Sequence, residues 1–334
     1  MIDPARLAPA WPDSARSGII CAGNWIVDIV HTIDTWPRKS DLVHIRDEVT
    51  GVGGGPANVA LDLAALGFGD PLYAVGLIGK DIHADTVKTA CAKAGIDTRG
   101  LKQSAKAPTG HTHVMTVPGD SRTFFYHPGT NDLLDGPDIS LAPDARMFYL
   151  GYINLLETMD RIGPDGRTPA SRVLEQAQAA GMLTCVDLVS TDTPQFRAAV
   201  SASLPHIDML FLNEVEAERA TGIANSGADD QAGLTKAAEA LLAGGAVNVI
   251  IHTPELSLWH SRGSTIWAIP DPVDPASIVS PVGAGDAFCA GVLWGTYYNW
   301  TPARSMTLGH RAAAAALRGA TATDGIPPID TILS

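Results

Sequence analysis

Six short apolar runs alternate along this chain with stretches of helical pattern, and no other feature restricts its fold as much. Ile19–Ala22, Leu72–Leu77, Met147–Leu150, Leu183–Val186, Met209–Leu212 and Val247–Ile251 predict strands. Ala57–Leu66, Asp81–Ala94, Pro169–Ala180, Glu214–Thr221, Gln231–Ala243, Asp286–Tyr298 and Pro302–Arg318 predict helices. Gly67, Gly95, Gly181, Gly222 and Gly244 fall just past helix ends, where a left-handed cap is favoured. Strands that are apolar at successive positions need cover on both faces. The expectation is an α/β fold with a mostly parallel sheet between helical layers. Ligands of such sheets bind beyond the carboxyl ends of the strands.

Two stretches break the rhythm. Val27–Glu48 interleaves Ile29, Ile33, Leu42, Val43 and Ile45 with polar residues. Thr109–His127 carries two alternating runs around Pro118-Gly119-Asp120 and predicts a hairpin. Half-polar alternating strands beside an α/β core predict a small antiparallel β lid, built from segments 27–50 and 107–128, over the mouth of a site. The chain shows no repeat, low-complexity tract or linker, so residues 1–334 are expected to form one domain with these segments inserted in it.

The net charge of −13 argues against nucleic acid or an anionic membrane as a partner. A phosphate-bearing ligand then needs a local positive field from helix ends, a cation or single basic residues. Cys21, Cys91, Cys185 and Cys289 are widely spaced in apolar or Ala-rich surroundings and read as core residues in a reducing compartment. Met1–Ser17 is polar and Pro-rich, unlike a signal peptide, and no apolar run is long enough to span a bilayer. A cytoplasmic protein is the expectation. His111 and His113 alternate on one strand face without an evident third ligand, so no metal is expected there.

Two glycine-rich turns each lead into a helix. Gly283-Ala284-Gly285-Asp286 opens an almost wholly apolar helix near the C-terminus. A helix N-terminus offers unpaired N–H groups and a positive dipole end, and glycine lets an anion approach the main chain. An acid at that spot repels phosphate, unless it takes a proton from a hydroxyl while the amides hold the phosphoryl group transferred to it. Taken alone, Asp286 also fits a plain helix cap. The second turn, Gly51-Val-Gly-Gly54-Gly55-Pro-Ala-Asn58, has neither dinucleotide-binding spacing nor a following G-K-[ST]. Asn58 falls in the first helical turn after it, where a side chain can read a hydroxyl.

The conjunction of these turns resembles the two signatures of the ribokinase, or phosphofructokinase-B, family of carbohydrate kinases. Other segments are similar in order: Gly23-Asn24-Trp-Ile-Val-Asp28, Pro128-Gly-Thr-Asn131, Asn213-Glu-Val-Glu216 and the Ala-rich Ala313–Gly319. The resemblance covers residues 18–328. It implies a ribokinase-like three-layer sandwich and transfer of the ATP γ-phosphoryl group to a sugar hydroxyl. Asp286 would be the general base, with the amides of Gly283, Ala284 and Gly285 as an anion hole. Asn24, Asp28, Gly54, Gly55, Asn58 and Asn131 would hold the acceptor. Asn213, Thr253, Gly283 and Gly285 would face the nucleotide, and Glu216 would organise Mg2+ through water. Bland alternatives are a turn acid for Asp28, helix-cap residues for Asn213 and Glu216, and a loop asparagine for Asn131.

The chain departs from the family pattern twice. Ser280-Pro281-Val282 stands where the family has Asp-Thr-x, whose acid helps some members to bind a monovalent cation, so the charge such a site uses is missing. Thr253 is followed by Pro254 and Glu255 in place of a flexible, neutral turn at the nucleotide. Two other readings therefore accompany the sugar kinase. One is a nucleoside kinase stacking a base on Trp25, Trp36, Phe124 or Tyr126. The other is a non-catalytic sugar-binding relative with impaired nucleotide binding. Exposed lid edges, Val43–Val49 in particular, predict a homodimer.

Overall fold

The computed structural model describes residues 16–118, 122–142 and 144–334. Most of the N-terminal stretch read for a signal peptide, and Gly119 and Asp120 of the expected hairpin turn, lie outside them.

The chain forms strands β1 Ile19–Gly23, β2 Ile26–Ile33, β3 Ile45–Gly53, β4 Leu72–Ile78, β5 Asp97–Gln103, β6 Gly110–Thr116, β7 Arg122–His127, β8 Met147–Ile153, β9 Leu183–Leu188, β10 Met209–Asn213, β11 Asn248–His252, β12 Ser257–Ser261 and β13 Ser264–Ala268. Its helices are α1 Gly55–Ala65, α2 Ile82–Lys93, α3 Pro169–Ala179, α4 Phe196–Ser203, α5 Glu214–Thr221, α6 Gln231–Ala243, α7 Ala284–Tyr297, α8 Pro302–Ala316 and α9 Ile329–Ile332. Nine strands make one sheet in the order β13-β12-β11-β10-β9-β8-β1-β4-β5. Pairs from β11 to β5 are parallel, while β12 and β13 run antiparallel at the edge.

The six expected strands form the centre of this sheet, and their side chains alternate between two cores. Ile20, Phe148, Leu150, Val186, Leu210 and Leu212 pack on one face with α3, α4, α5 and α6. Ile19, Cys21, Met147, Tyr149, Cys185 and Phe211 pack on the other with α1, α2 and α7. Two buried faces explain why the runs lack alternation. Each fully buried large side chain contributes about 1.5–3 kcal/mol of transfer free energy. All four cysteines are buried free thiols.

The sequence did not announce β5, whose polar edge residues are buried mainly at Leu101, nor α4 and the β12–β13 hairpin. Edge elements need only one apolar side, so their pattern is weak. The lid is a four-stranded sheet, β3-β2-β6-β7. Its outer pairs β2–β3 and β6–β7 are antiparallel, as expected, and the central β2–β6 pair is parallel. Residues 34–44 of the first lid segment form a connection rather than strand.

Helices α1, α7 and α8 position the site. A Cβ on Gly291 of α7 would meet the backbone of Gly309 of α8 at 2.7 Å, so the two helices cross at a point only glycine allows. Helix α7 also packs along α1, so the N-termini of both can open into the same cleft.

Candidate active site

Gly54 caps α1 with φ 92° and Gly283 caps α7 with φ 83°. Both lie in the left-handed region, which glycine enters without the penalty of a Cβ. A side chain at Gly54 would strike the Asn24 carbonyl, and one at Gly283 would strike the Ala322 carbonyl. These turns are tight because another backbone segment presses on each.

They meet at Asp286. This residue, 7% exposed, lies in the first turn of α7. Asn58 Nδ2 donates to its Oδ2 at 2.8 Å, and the Tyr152 hydroxyl donates to its Oδ1 at 2.7 Å. Burial pushes the Asp286 carboxyl up to about 6, against the lowering effect of these two donors. A carboxylate oxygen has a second acceptor site, so a ligand hydroxyl can still approach. Among the described residues the Ala284 amide reaches Pro281 O at 3.4 Å, whereas the amides of Gly283, Gly285 and Asp286 have no acceptor. Amides without a backbone acceptor and an ionisable carboxylate thus stand together at the start of α7.

The expected acceptor residues come from both sides: Asp28 lies on β2 of the lid, Asn24 between β1 and β2, Gly54, Gly55 and Asn58 at the start of α1, and Asn131 just after β7. Asp28 on β2 is pushed up to about 6 by burial and by the Asp286 charge, against a lowering hydrogen bond from Thr112. A Cβ on Gly53 would collide with the Asp28 carboxyl, and one on Gly55 would meet the Tyr152 ring at 2.7 Å. Asn24 and Asn131 are fully buried; the Asn24 amide finds no hydrogen-bond partner, Asn131 has only the Tyr126 hydroxyl beside it, and Asn58 Oδ1 is unpaired. Buried amides without partners cost about 1–3 kcal/mol each, which a polyhydroxylated ligand would offset.

Asn213 and Glu216 form a reciprocal helix cap on α5. Asn213 Oδ1 accepts from Glu216 N at 2.8 Å, and Glu216 Oε2 accepts from Asn213 N at 2.8 Å. Glu216 Oε1 also accepts from Ser190 Oγ at 2.8 Å and Asn213 Nδ2 at 3.0 Å. The bland capping alternative therefore describes a real bond set. Even so, Glu216 is buried, and burial followed by the Asp286 charge pushes its carboxyl up. Thr253 lies in the β11–β12 turn, where its hydroxyl donates to Ala228 O at 2.8 Å and accepts from the Glu255 and Leu256 amides at 3.1 Å each. That hydroxyl organises its own turn rather than facing the cleft as a free group. Pro254 and Glu255 are exposed, so the acid that replaced a neutral residue points into solvent.

Four neighbours escaped the sequence reading. Tyr152 and Asp187 end β8 and β9, and the rule that ligands sit beyond strand carboxyl ends could have singled them out. Asp187 is pushed well above the carboxylate range by burial and by Asp286 and Glu216. Asp62, one turn after Asn58, is fully buried with neither oxygen bonded, and burial raises its carboxyl likewise. His252 lies against Gly285 and packs at a tilt on Phe288, ring centroids 5.2 Å apart; burial lowers its imidazole to about 4, leaving it neutral.

A carboxylate at a helix N-terminus with amides beside it and buried polar side chains around it is the arrangement expected of a phosphotransferase that acts on an alcohol. The chain belongs to the pfkB family of carbohydrate kinases, whose sequence model matches residues 17–329. It is 26% identical to a ribokinase of Arabidopsis thaliana over 286 residues, 83% of this chain and 70% of that protein. It is 26% identical to fructokinase-1 of Zea mays over 219 residues, 63% of this chain and 64% of that protein. Its fold is that of the Arabidopsis thaliana ribokinase solved with ribose and ATP, with a TM-score of 0.79 at 22% identity, covering 96% of this chain and 98% of the other. The three-layer sandwich with a small second sheet is thus the family's fold.

Proposed function

We infer that this chain transfers the γ-phosphoryl group of ATP to a hydroxyl of a free sugar. The observation that carries the reading is the convergence of Asn58 and Tyr152 on Asp286 beside open α7 amides. Asp286, ionised above about pH 6, accepts the proton of the attacking hydroxyl. Little base strength is needed, because the transition state is loose and the nucleophile mainly needs orientation. Asn58 and Tyr152 fix the carboxylate plane. The amides of Gly283, Gly285 and Asp286 receive the charge on the moving phosphoryl oxygens, and Ala284 contributes once its long bond to Pro281 is released. Asp28, Asn24 and Asn131 hold the sugar hydroxyls, with Gly54 and Gly55 giving room for it.

Asp187, Glu216 and Asp286 are buried acids, and the Asp286 charge helps to raise the other two. Among the described residues no three such groups are placed to hold a metal by themselves, so Mg2+ would be held largely through water and the nucleotide phosphates. Both carboxylates accept hydrogen bonds on each oxygen, Glu216 from Asn213 and Ser190 and Asp187 from Leu188 N and the Tyr149 hydroxyl, so both would act through water. The ion supplies neutralisation of phosphate charge when bound. Asn213, Thr253 and the Gly283–Gly285 turn would border the nucleotide, Thr253 through its backbone and methyl.

The exposed edge of the lid supports a homodimer. Ile45 on β3 is 52% exposed and Leu42 before it 83%, and β3 has an unpaired edge. Among the described residues no helix is long and apolar enough to cross a membrane.

The test is ADP formation across an acceptor panel of ribose, fructose and adenosine. We expect sugar-dependent ADP release, lowered about 10²–10⁴-fold by Asp286→Asn with unchanged thermal unfolding. Parental turnover in that variant would refute the mechanism, and adenosine as the sole acceptor would favour a nucleoside kinase.

A further inference from the structure

Strand β7 begins at Arg122, and the guanidinium crosses from the lid to the turn that leads into α7. Nη1 donates to Ser280 Oγ at 2.5 Å and Nη2 donates to Val279 O at 3.3 Å. Ser280 is fully buried, and its oxygen also accepts from Val282 N at 3.2 Å. Ser280 precedes the Gly283 cap by three residues. One hydroxyl therefore ties the phosphate-binding turn to a cation carried by the lid.

Arg122 has no carboxylate in ion-pair contact among the described residues. It lines a small cavity with Asp28, Val282, Thr321 and Ala322. A partly buried cation without a paired anion is costly in isolation. Here it shares a small cavity with Asp28, beside the turn where a nucleotide would bring further negative charge. The position has a use for fixed positive charge.

Position 280 is where the family pattern has the acid that helps some members to hold a monovalent cation. The residues present do not fit such an ion. Ser280 is neutral, its oxygen already accepts from two N–H donors, and the Val279 carbonyl accepts from the same guanidinium. An ion placed against these oxygens would also face the Arg122 charge. We propose that the Arg122 guanidinium replaces a dissociable monovalent cation, giving the lid a positioning residue whose charge supports the Ser280–Gly285 turn and lets the enzyme turn over without K+. This rests on the sugar-kinase reading. The charge is then carried by the lid strand itself, not taken from solution.

The experiment compares the parent, Arg122→Lys, Arg122→Gln and Arg122→Ala in buffers whose only monovalent cation is tetramethylammonium, Na+ or K+. Parental kcat should agree among the three within about twofold, because no ion site has to be filled. Arg122→Ala should lose roughly tenfold in kcat, less than the about 10²–10³-fold lost with a donor that touches a reacting anion, because Arg122 acts through Ser280. Its thermal unfolding should be unchanged, and Arg122→Lys should retain more activity than Arg122→Gln. Guanidinium chloride at non-denaturing concentration should restore part of the loss in Arg122→Ala, and urea at equal concentration should not. A parent that requires K+, an Arg122→Ala variant with parental kcat, or a loss that guanidinium leaves untouched would each overturn the proposal while sparing the kinase reading. A parent that forms no ADP with any acceptor would remove both.

Discussion

Asn58 Nδ2 and Asp286 Oδ2 are 2.8 Å apart across 228 residues of sequence. Each stands in the first turn of its own helix, behind its own glycine-rich turn. The bond therefore fixes the relation between the acceptor side of the cleft and the phosphate side. It also orients the carboxylate proposed here as the base.

Tyr152 makes the second bond to that carboxylate, and the bond lowers its proton affinity. Tyr152→Phe removes the donor, so Asp286 holds its proton to higher pH. The acid limb of kcat/KM, expected near pH 6 in the parent, should move upward by about one unit, the equivalent of about 1.4 kcal/mol. A pH–rate profile of parent and variant checks this; a limb that stays or moves down argues against Asp286 as the titrating group.

Gly283→Ala puts a Cβ into the Ala322 carbonyl at a residue with φ 83°. The backbone penalty alone is about 1–2 kcal/mol, and the turn must shift to relieve the collision. Urea unfolding should show a loss of that size or more. Turnover should fall more steeply than sugar affinity, because the amides on the moving phosphoryl group are the ones displaced.

Glu216→Gln keeps the capping box on α5, since a glutamine can serve the same amide. Stability should change by less than about 1 kcal/mol. The Mg2+ concentration for half-maximal turnover should rise, because one of the raised acids loses its charge. An unchanged Mg2+ titration would reduce Glu216 to a helix cap.

Asp62 bears on stability rather than chemistry. Its folded carboxyl is raised well above the unfolded value by burial and by Asp286. The folded state therefore holds this proton more tightly, and its stabilising share is complete below the unfolded pKa of about 3.9 and is lost as pH rises through the folded value. Asp62→Asn removes that titration. Urea unfolding from pH 5 to pH 9 should show the variant gaining on the parent as pH rises; a gap that narrows would contradict the sign.

The six central strands, the seven helices expected between and after them and the two turn motifs were legible in the sequence because each is written in a contiguous pattern. Apolar runs needed two covered faces, and Gly54 and Gly283 marked backbone that only glycine adopts at low cost. The lid was visible as alternation at Ile29 and at His111–Val117, although its parallel central pairing was not, since strand neighbours depend on the path of the whole chain. The role of Asp286 remained open between base and cap on sequence alone. Only tertiary structure brings Asn58 and Tyr152 to its two oxygens, and it engages the hydroxyl of Thr253 in its own turn. Arg122, Asp187 and Asp62 carried no local signature at all. Their meaning comes from burial and neighbouring charge, which arise only when distant segments share a low-dielectric cleft.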